Sequence, residues 1–264
     1  MNKSTQSNEL SILFLSCDKY QDLWKPLFYC VHKYFRQNEY PMYLGSNTIS
    51  YKDKKVTTLL SGRDIDWSTS LLKILDQIQT PYIFLWLDDF FPISAINIAR
   101  FSNVLHFMLK HKVKHIHIMP QPKPDQVTNG GLYGVYEKKA PYRVTAFGFW
   151  EVDALKKLLL PGENPWNFEI MGSYRSSYMD GFYCSMKPVT FCMNVIEKGK
   201  IFIESYRYCQ KNGIPLDVAK REVIKNKHFV KSELQKFIFN TMIKIPWKFR
   251  ASVMNVLRKI MISY

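Results

Sequence analysis

Short unbroken apolar runs alternate along the chain with stretches in which apolar residues return every three or four positions. Glu9 to Cys17 (ELSILFLSC) is the first such run. It is short for a helix and stops at Asp18, so it predicts a buried strand. A helix is expected from about Asp22 to Phe35, a strand over Tyr40 to Ser46 and a shorter one over Thr57 to Leu60. Asp66 precedes WSTSLLKILDQI, in which Leu71, Leu72, Leu75 and Ile78 share one helical face. After Pro81, Tyr82 to Leu87 (YIFLWL) predicts a continuously apolar strand that runs directly into Asp88 and Asp89.

The order then repeats. Ser94 supplies a cap for a helix through about His111, with Ile98, Phe101, Leu105 and Met108 on its apolar side. Val113 to Met119 follows as a strand closed by Pro120. Strands alternating with helices predict an α/β fold with a largely parallel sheet and right-handed crossovers. Open sheets of this kind bind ligands beyond the carboxyl ends of their strands, where Asp18 and Asp88-Asp89 fall. Residues 121–141 read as a loop, Val152 to Leu160 as a helix broken by Pro161-Gly162, and Trp166 as the start of another helix. Residues 187–203 read as a hairpin turning at Lys198-Gly199.

Composition narrows the classes. The 264 residues allow one large domain or two small ones. With 47% apolar and 22% charged residues, wholly disordered and low-complexity chains are excluded. A formal charge of +15 sets up a field that attracts polyanions, phosphorylated small molecules and anionic membranes. Five cysteines without a C-x-x-C pair argue against a disulfide framework or zinc ribbon and for a reducing compartment. The polar N-terminus lacks a signal-peptide core, and no apolar run reaches the roughly 18 residues of a membrane span. A cytoplasmic protein is expected. Residues 231–264 carry seven Lys/Arg against one Glu. Within them Phe249, Val253, Val256, Leu257, Ile260 and Met261 fall at helical spacing. That stripe suits an interfacial helix on anionic lipid or a terminal helix packed on the domain.

Three constellations carry possible chemistry. Asp88 and Asp89 follow a buried strand, where two carboxylates are costly unless something positive satisfies them. They suit a divalent cation bound to a diphosphate, or else one caps the next helix while the other faces water. Glu169 lies in the early turns of a helix that Pro165 opens. Beside Trp166 and Phe168 it is either partly desolvated and basic, or an ordinary helix-start acid with Trp166 as a core anchor. In Ser16-Cys17-Asp18-Lys19-Tyr20, Asp18 can accept from a base or ribose and Tyr20 can stack, or Asp18 only begins a turn. His115 and His117 share a strand face, but no third ligand of convincing spacing joins them beyond His111. Gly130-Gly131-Leu132-Tyr133-Gly134 lacks the ending of a P-loop and reads as a mobile loop able to close over an acceptor.

The segments SCDKYQDLW, GRDIDWSTSLLKILDQIQTPYIFLWLDDFFP and FGFWEVDALKKLLLPGENPWNFEIMGS, in this order, resemble nucleotide-sugar glycosyltransferases of the GT-A fold. More narrowly they resemble those of bacterial capsule and O-antigen synthesis, over about residues 11–205. The resemblance implies a Rossmann-like, mostly parallel sheet flanked by helices in a catalytic domain of residues 1–232, with a basic helical extension over 233–264. It implies that Asp88 and Asp89 contact ribose and a metal-bound diphosphate, with Asp89 as metal ligand and Mn2+ or Mg2+ as the ion. Glu169 matches the general base of inverting members. Ser16, Asp18 and Tyr20 match the nucleotide pocket, and Arg63 and Asp64 lie where such folds face the donor. Glu163 and Trp166 fall on the acceptor side, and His228 is a position-based candidate to complete the metal site. The implied reaction moves a sugar from a nucleotide donor, by default UDP-linked, to a saccharide or polyprenyl-diphosphate-linked saccharide, peripherally at the inner face of the plasma membrane. The alternatives are a basic nucleic-acid-binding protein and an inactive scaffold with the same fold. The first lacks an RRM, KH or helix-turn-helix signature, so nucleic acid is not an expected partner.

Overall fold

The computed structural model describes residues 8–224 apart from residue 141, together with scattered positions between 237 and 253. The chain starts with β1 (Leu10–Leu15), a 3-10 turn at Asp18–Tyr20, α1 (Gln21–Tyr34), β2 (Met42–Ser46) and β3 (Val56–Leu60). Next come α2 (Trp67–Leu75), β4 (Tyr82–Leu87), β5 (Phe90–Pro92), α3 (Ile98–His111) and β6 (His115–His117). Then follow β7 (Gln126–Thr128), β8 (Tyr133–Val135), β9 (Gly148–Glu151), α4 (Val152–Leu158), α5 (Pro165–Arg175) and β10 (Phe182–Ser185). The described chain closes with β11 (Cys192–Asn194), β12 (Ile196–Glu197), β13 (Lys200–Phe202), α6 (Ile203–Lys211) and β14 (Val223–Ile224).

Nine strands form one sheet in the order β3-β2-β1-β4-β9-β6-β10-β8-β7. β3, β2, β1 and β4 are parallel, as are β6 and β10, and only β9 and β8 oppose the common direction. The protein is therefore an α/β molecule with a mostly parallel central sheet, as the alternation of strands and helices predicts. Alternate residues of β1 and β4 serve two cores. Leu10, Ile12, Phe14, Phe84 and Trp86 join the side chains of α1 and α3 on one face. Leu13, Leu15, Ile83 and Leu85 join those of α2, α4 and α5 on the other. Burial on both faces is why these strands read as unbroken apolar runs.

The topology creates one special place. From β1 the chain steps outward through β2 to β3, then returns on the opposite side of β1 as β4. Between β1 and β4 the order reverses, and in open α/β sheets the crevice beyond such a reversal is where ligands sit.

Several elements differ from the sequence-based expectation. Asn97, not Ser94, caps α3, because its side chain accepts the Arg100 N–H and the helix starts at Ile98. The supposed loop 121–141 contains β7 and β8, which form the far edge of the sheet. The strands β9 and β10 carry no alternating pattern that separates them from neighbouring segments, since both are buried between other strands. The turn at Lys198-Gly199 is present, with φ of 49° and 80°, the doubly positive pair a tight hairpin needs and which glycine adopts without penalty. Cys192–Asn194, however, leaves that hairpin and pairs with β5. The 232/233 boundary, His228 and most of the apolar stripe from Val256 to Met261 lie outside the described residues.

Candidate active site

At the carboxyl end of β1, Ser16 donates its hydroxyl proton to Asp88 Oδ2 and accepts the Trp24 indole N–H at 2.7 Å. Asp88 extends β4, and its N–H reaches Leu15 O at 3.3 Å, so the two strand ends are tied together. Burial, and then the adjacent Asp89, push the Asp88 carboxyl up from its ordinary range; the Ser16 hydroxyl and the Arg221 charge pull the other way. Burial pushes Asp89 up as well, opposed by its own backbone N–H. Among the described residues the Asp89 carboxylate has no side-chain partner. Its carbonyl accepts the Val195 N–H at 2.8 Å, which fixes the backbone that carries it.

Asp18 behaves in the opposite way. Its carboxylate accepts the backbone N–H groups of Asn47, Thr48 and Ile49 and the Thr48 hydroxyl at 2.6 Å. Burial raises its pKa, but these donors together outweigh burial and hold it below the ordinary carboxylate value. Asp18 thus pins the loop after β2, and the carboxylate expected to face a base or ribose is turned to that loop. Tyr20 lies beneath Arg221, whose guanidinium carbon is 4.4 Å from the ring centroid. Arg63 and Asp64 are exposed at the end of β3, and Asp64 meets Lys19 at 3.4 Å.

Glu169 reaches this edge by another route. β9 is antiparallel to β4, with Gly148 opposite Leu85, so the residues just before Gly148 run alongside the end of β4. Phe147 packs there against Trp86 and Phe90 at ring separations of 5.5 and 5.0 Å. Its neighbour Ala146 donates its N–H to Glu169 Oε1 at 3.0 Å. One helical turn on, Ser173 accepts the Val144 N–H, so segment 144–147 is stitched along α5. Burial raises the Glu169 carboxyl to about 7, against only the Ala146 N–H, and no cation touches it among the described residues. Trp166, three residues earlier and hence on the same side of α5, is 56% exposed. Asn164 caps α5 by accepting the Asn167 N–H, with Pro165 in the first turn.

Glu163 is placed differently from Trp166. Arg175 grips its carboxylate with two hydrogen bonds of 2.8 and 2.6 Å, and its carbonyl accepts from the Ser68 N–H and hydroxyl. It fixes the turn before α5 to the start of α2. Its carboxylate is turned to Arg175.

His115 and His117 are buried in the sheet, and burial lowers both, His117 to about 4. The His115 ring lies between Phe149 O and the Thr145 N–H, and His117 Nε2 is 3.0 Å from Arg143 O. They anchor the approach to β9 instead of binding metal. Among the described residues no group of three or more His, Cys, Asp or Glu is arranged to hold a metal ion. Asp88 and Asp89 nevertheless have the chemistry for one shared with a ligand, since Mg2+-like ions take one or two carboxylates and fill the rest of their shell with phosphate oxygens and water.

Arg221 is a residue that sequence reasoning missed. It grips Asp22 with Nε at 2.7 Å and Nη2 at 2.8 Å, and donates to Lys19 O and Gly199 O. It thereby locks the β12–β14 unit onto the turn carrying Tyr20. Nothing in its local sequence, KREV, marks a residue that lies about 200 positions from its partner.

Neither protein-family models nor curated proteins match the chain. Among solved structures, Staphylococcus aureus TarS 1–349 aligns with TM-score 0.43 and 14% identity over 94% of this chain and 79% of that one. A longer TarS structure aligns with TM-score 0.43 and 11% identity over 67% of this chain, which spans 36% of its length. UTP-bound UGPase from Acinetobacter baumannii gives TM-score 0.48 and 7% identity over 86% and 98% of the two chains. Scores below 0.5 at such identities show neither family nor function.

Proposed function

We propose that the protein is a GT-A-type glycosyltransferase that moves a sugar from a nucleotide donor, UDP-linked by default, to a saccharide acceptor. The observation that carries this reading is the sheet edge where Asp88, Asp89 and Glu169 stand, three partly buried carboxylates that no cation contacts among the described residues. Charge arranged at such expense calls for a ligand that supplies the missing positive groups and hydroxyl protons.

In this reading Asp88 and Asp89 hold Mn2+ or Mg2+ against the donor diphosphate, with Asp89 as direct ligand. When bound, such an ion supplies charge stabilisation to the departing nucleoside diphosphate. The chain's own residues do the rest. The Asp18-pinned loop, Ser16 and Tyr20 shape the nucleoside end, with Arg63 and Asp64 at its rim. Trp166 offers an exposed ring for a sugar acceptor to stack on. Glu169 accepts the acceptor hydroxyl proton at Oε2 while Oε1 stays on the Ala146 N–H, and the freed oxygen attacks the anomeric carbon with inversion. A carboxyl lifted to about 7 is well matched to that task near neutral pH.

The bacterial surface-polysaccharide setting and a lipid-linked acceptor are part of the proposal. No helix among the described residues is long and apolar enough to cross a membrane, so membrane contact is assigned to the basic tail. Arg250 is buried and paired with Asp125, and Asn240 Oδ1 accepts the Lys123 N–H. Phe237 and Phe249, by contrast, are 69% and 64% exposed. The expected consequence is that removing residues 233–264 abolishes binding to vesicles containing anionic lipid; undiminished flotation with such vesicles dismisses that assignment.

The test of the main proposal is a thermal-shift panel of nucleoside diphosphates with and without Mn2+ or Mg2+, followed by transfer from the stabilising nucleotide's sugar. A protein stabilised by none of them is not this enzyme. Analysis of the product anomer decides inversion.

A further inference from the structure

Trp24, in α1, is 2% exposed and lies in the core beneath the donor edge. An indole N–H can only donate. Its contact with Ser16 Oγ at 2.7 Å therefore fixes that oxygen as acceptor, and leaves Ser16 one proton to give. Two acceptors compete for the proton: Asp88 Oδ2, in close contact, and Cys17 O at 3.4 Å, beyond good hydrogen-bond range. The nearer oxygen wins. The result is a directed chain, Trp24 N–H to Ser16 O, and Ser16 O–H to Asp88 Oδ2, leading from the packed core to the strand-end carboxylate. With Oδ2 occupied, Oδ1 is the oxygen left for a ligand.

We propose that Trp24 is a positioning residue which, through the Ser16 hydroxyl, fixes the Asp88 carboxylate so that one oxygen faces the donor diphosphate and its cation. This rests on the reading of Asp88 as a donor-site residue. Trp24 touches no substrate. Its packing holds the indole, the indole holds the hydroxyl rotor, and the rotor holds the carboxylate. Ser16 thereby links the core to the carboxylate that faces the ligand.

The experiment follows the indole N–H resonances of the full chain, labelled with 15N. Six tryptophans give six signals, and the one lost in Trp24→Phe identifies Trp24. In the ligand-free protein, Ser16→Ala is expected to move that signal, because its acceptor is gone; an unmoved signal overturns the proposal. On adding UDP with Mg2+, the wild-type signal is expected to move and that of Ser16→Ala to stay. If other signals respond while Trp24 does not, the chain does not reach the ligand and the proposal falls. If no signal responds at all, the donor reading fails, and the chain is judged on the ligand-free comparison alone. Affinity gives a second readout. Trp24→Phe is expected to weaken binding of UDP with Mg2+ about 3- to 10-fold, as for loss of one hydrogen bond. Adding Trp24→Phe to Ser16→Ala is expected to weaken it no further. A purely structural Trp24 would instead give additive losses.

Discussion

Two sets of sequestered carboxylates in this molecule differ in one respect. Asp22, Asp125 and Glu163 each meet an arginine, respectively Arg221, Arg250 and Arg175; the first two pairs clamp segments 199 and 125 residues apart, and the third ties the turn before α5 to the end of that helix. Among the described residues Asp88, Asp89 and Glu169 meet only a hydroxyl or a backbone N–H, and burial raises all three. Neutralised acids of the first kind hold the fold together. Acids of the second kind lower its stability at neutral pH, and they gather at the one sheet edge where the strand order reverses. The contrast separates scaffold from candidate site without reference to any relative.

The largest effect expected on this contrast is on rate. Glu169→Gln keeps an oxygen for the Ala146 N–H but cannot take a proton, so transfer should fall about 10²- to 10⁴-fold in a steady-state assay. Undiminished turnover would remove Glu169 from the mechanism and favour retention of configuration. Next comes Arg221→Ala. It strands Asp22 as a buried charge and should cost about 3–5 kcal/mol, seen as a drop of roughly 10 °C in melting temperature. If stability is untouched, the division between clamps and site is wrong.

A third effect has the opposite sign. The Glu169 carboxyl is raised from an ordinary value near 4.5 to about 7, so the stability it contributes is present below pH 4.5 and is lost as pH rises through 7. Glu169→Gln should therefore be more stable than wild type at pH 8, by about 3 kcal/mol, with the difference vanishing below pH 4.5. Calorimetry across that range checks it. The smallest expected effect is the added stabilisation by Mn2+ with UDP. A cation competes with protons on Asp88 and Asp89, both held upward, so the shift in melting temperature should be larger at pH 8 than at pH 5.5. At ligand 100-fold above its dissociation constant it should approach about 2.7 kcal/mol. A shift independent of pH would move the cation elsewhere.

Much of the candidate site's placement was legible before any coordinates. β1 and β4 are buried on both faces, so their composition alone announced them and located Ser16, Asp18, Asp88 and Asp89 at strand ends. Pro165 likewise announced α5 and put Glu169 in its early turns. The supporting partners were not legible. Asp18 looked available until the loop at Asn47–Ile49 came to it, and Glu163 looked available until Arg175 did. The intervening β9, which brings Ala146 beside the end of β4, has four residues and no distinguishing period.

The sequence by itself determined the α/β class, the strand ends and the acids that stand on them, because those follow from periodicity, chain breaks and residue chemistry within a dozen positions. Only the tertiary structure decided which acids are neutralised and which remain open. That depends on contacts such as Asp22 with Arg221 and Ser16 with Asp88, separated by 199 and 72 residues. Local pattern carries no record of a partner so far along the chain, and the energy of a buried charge is set by its partner.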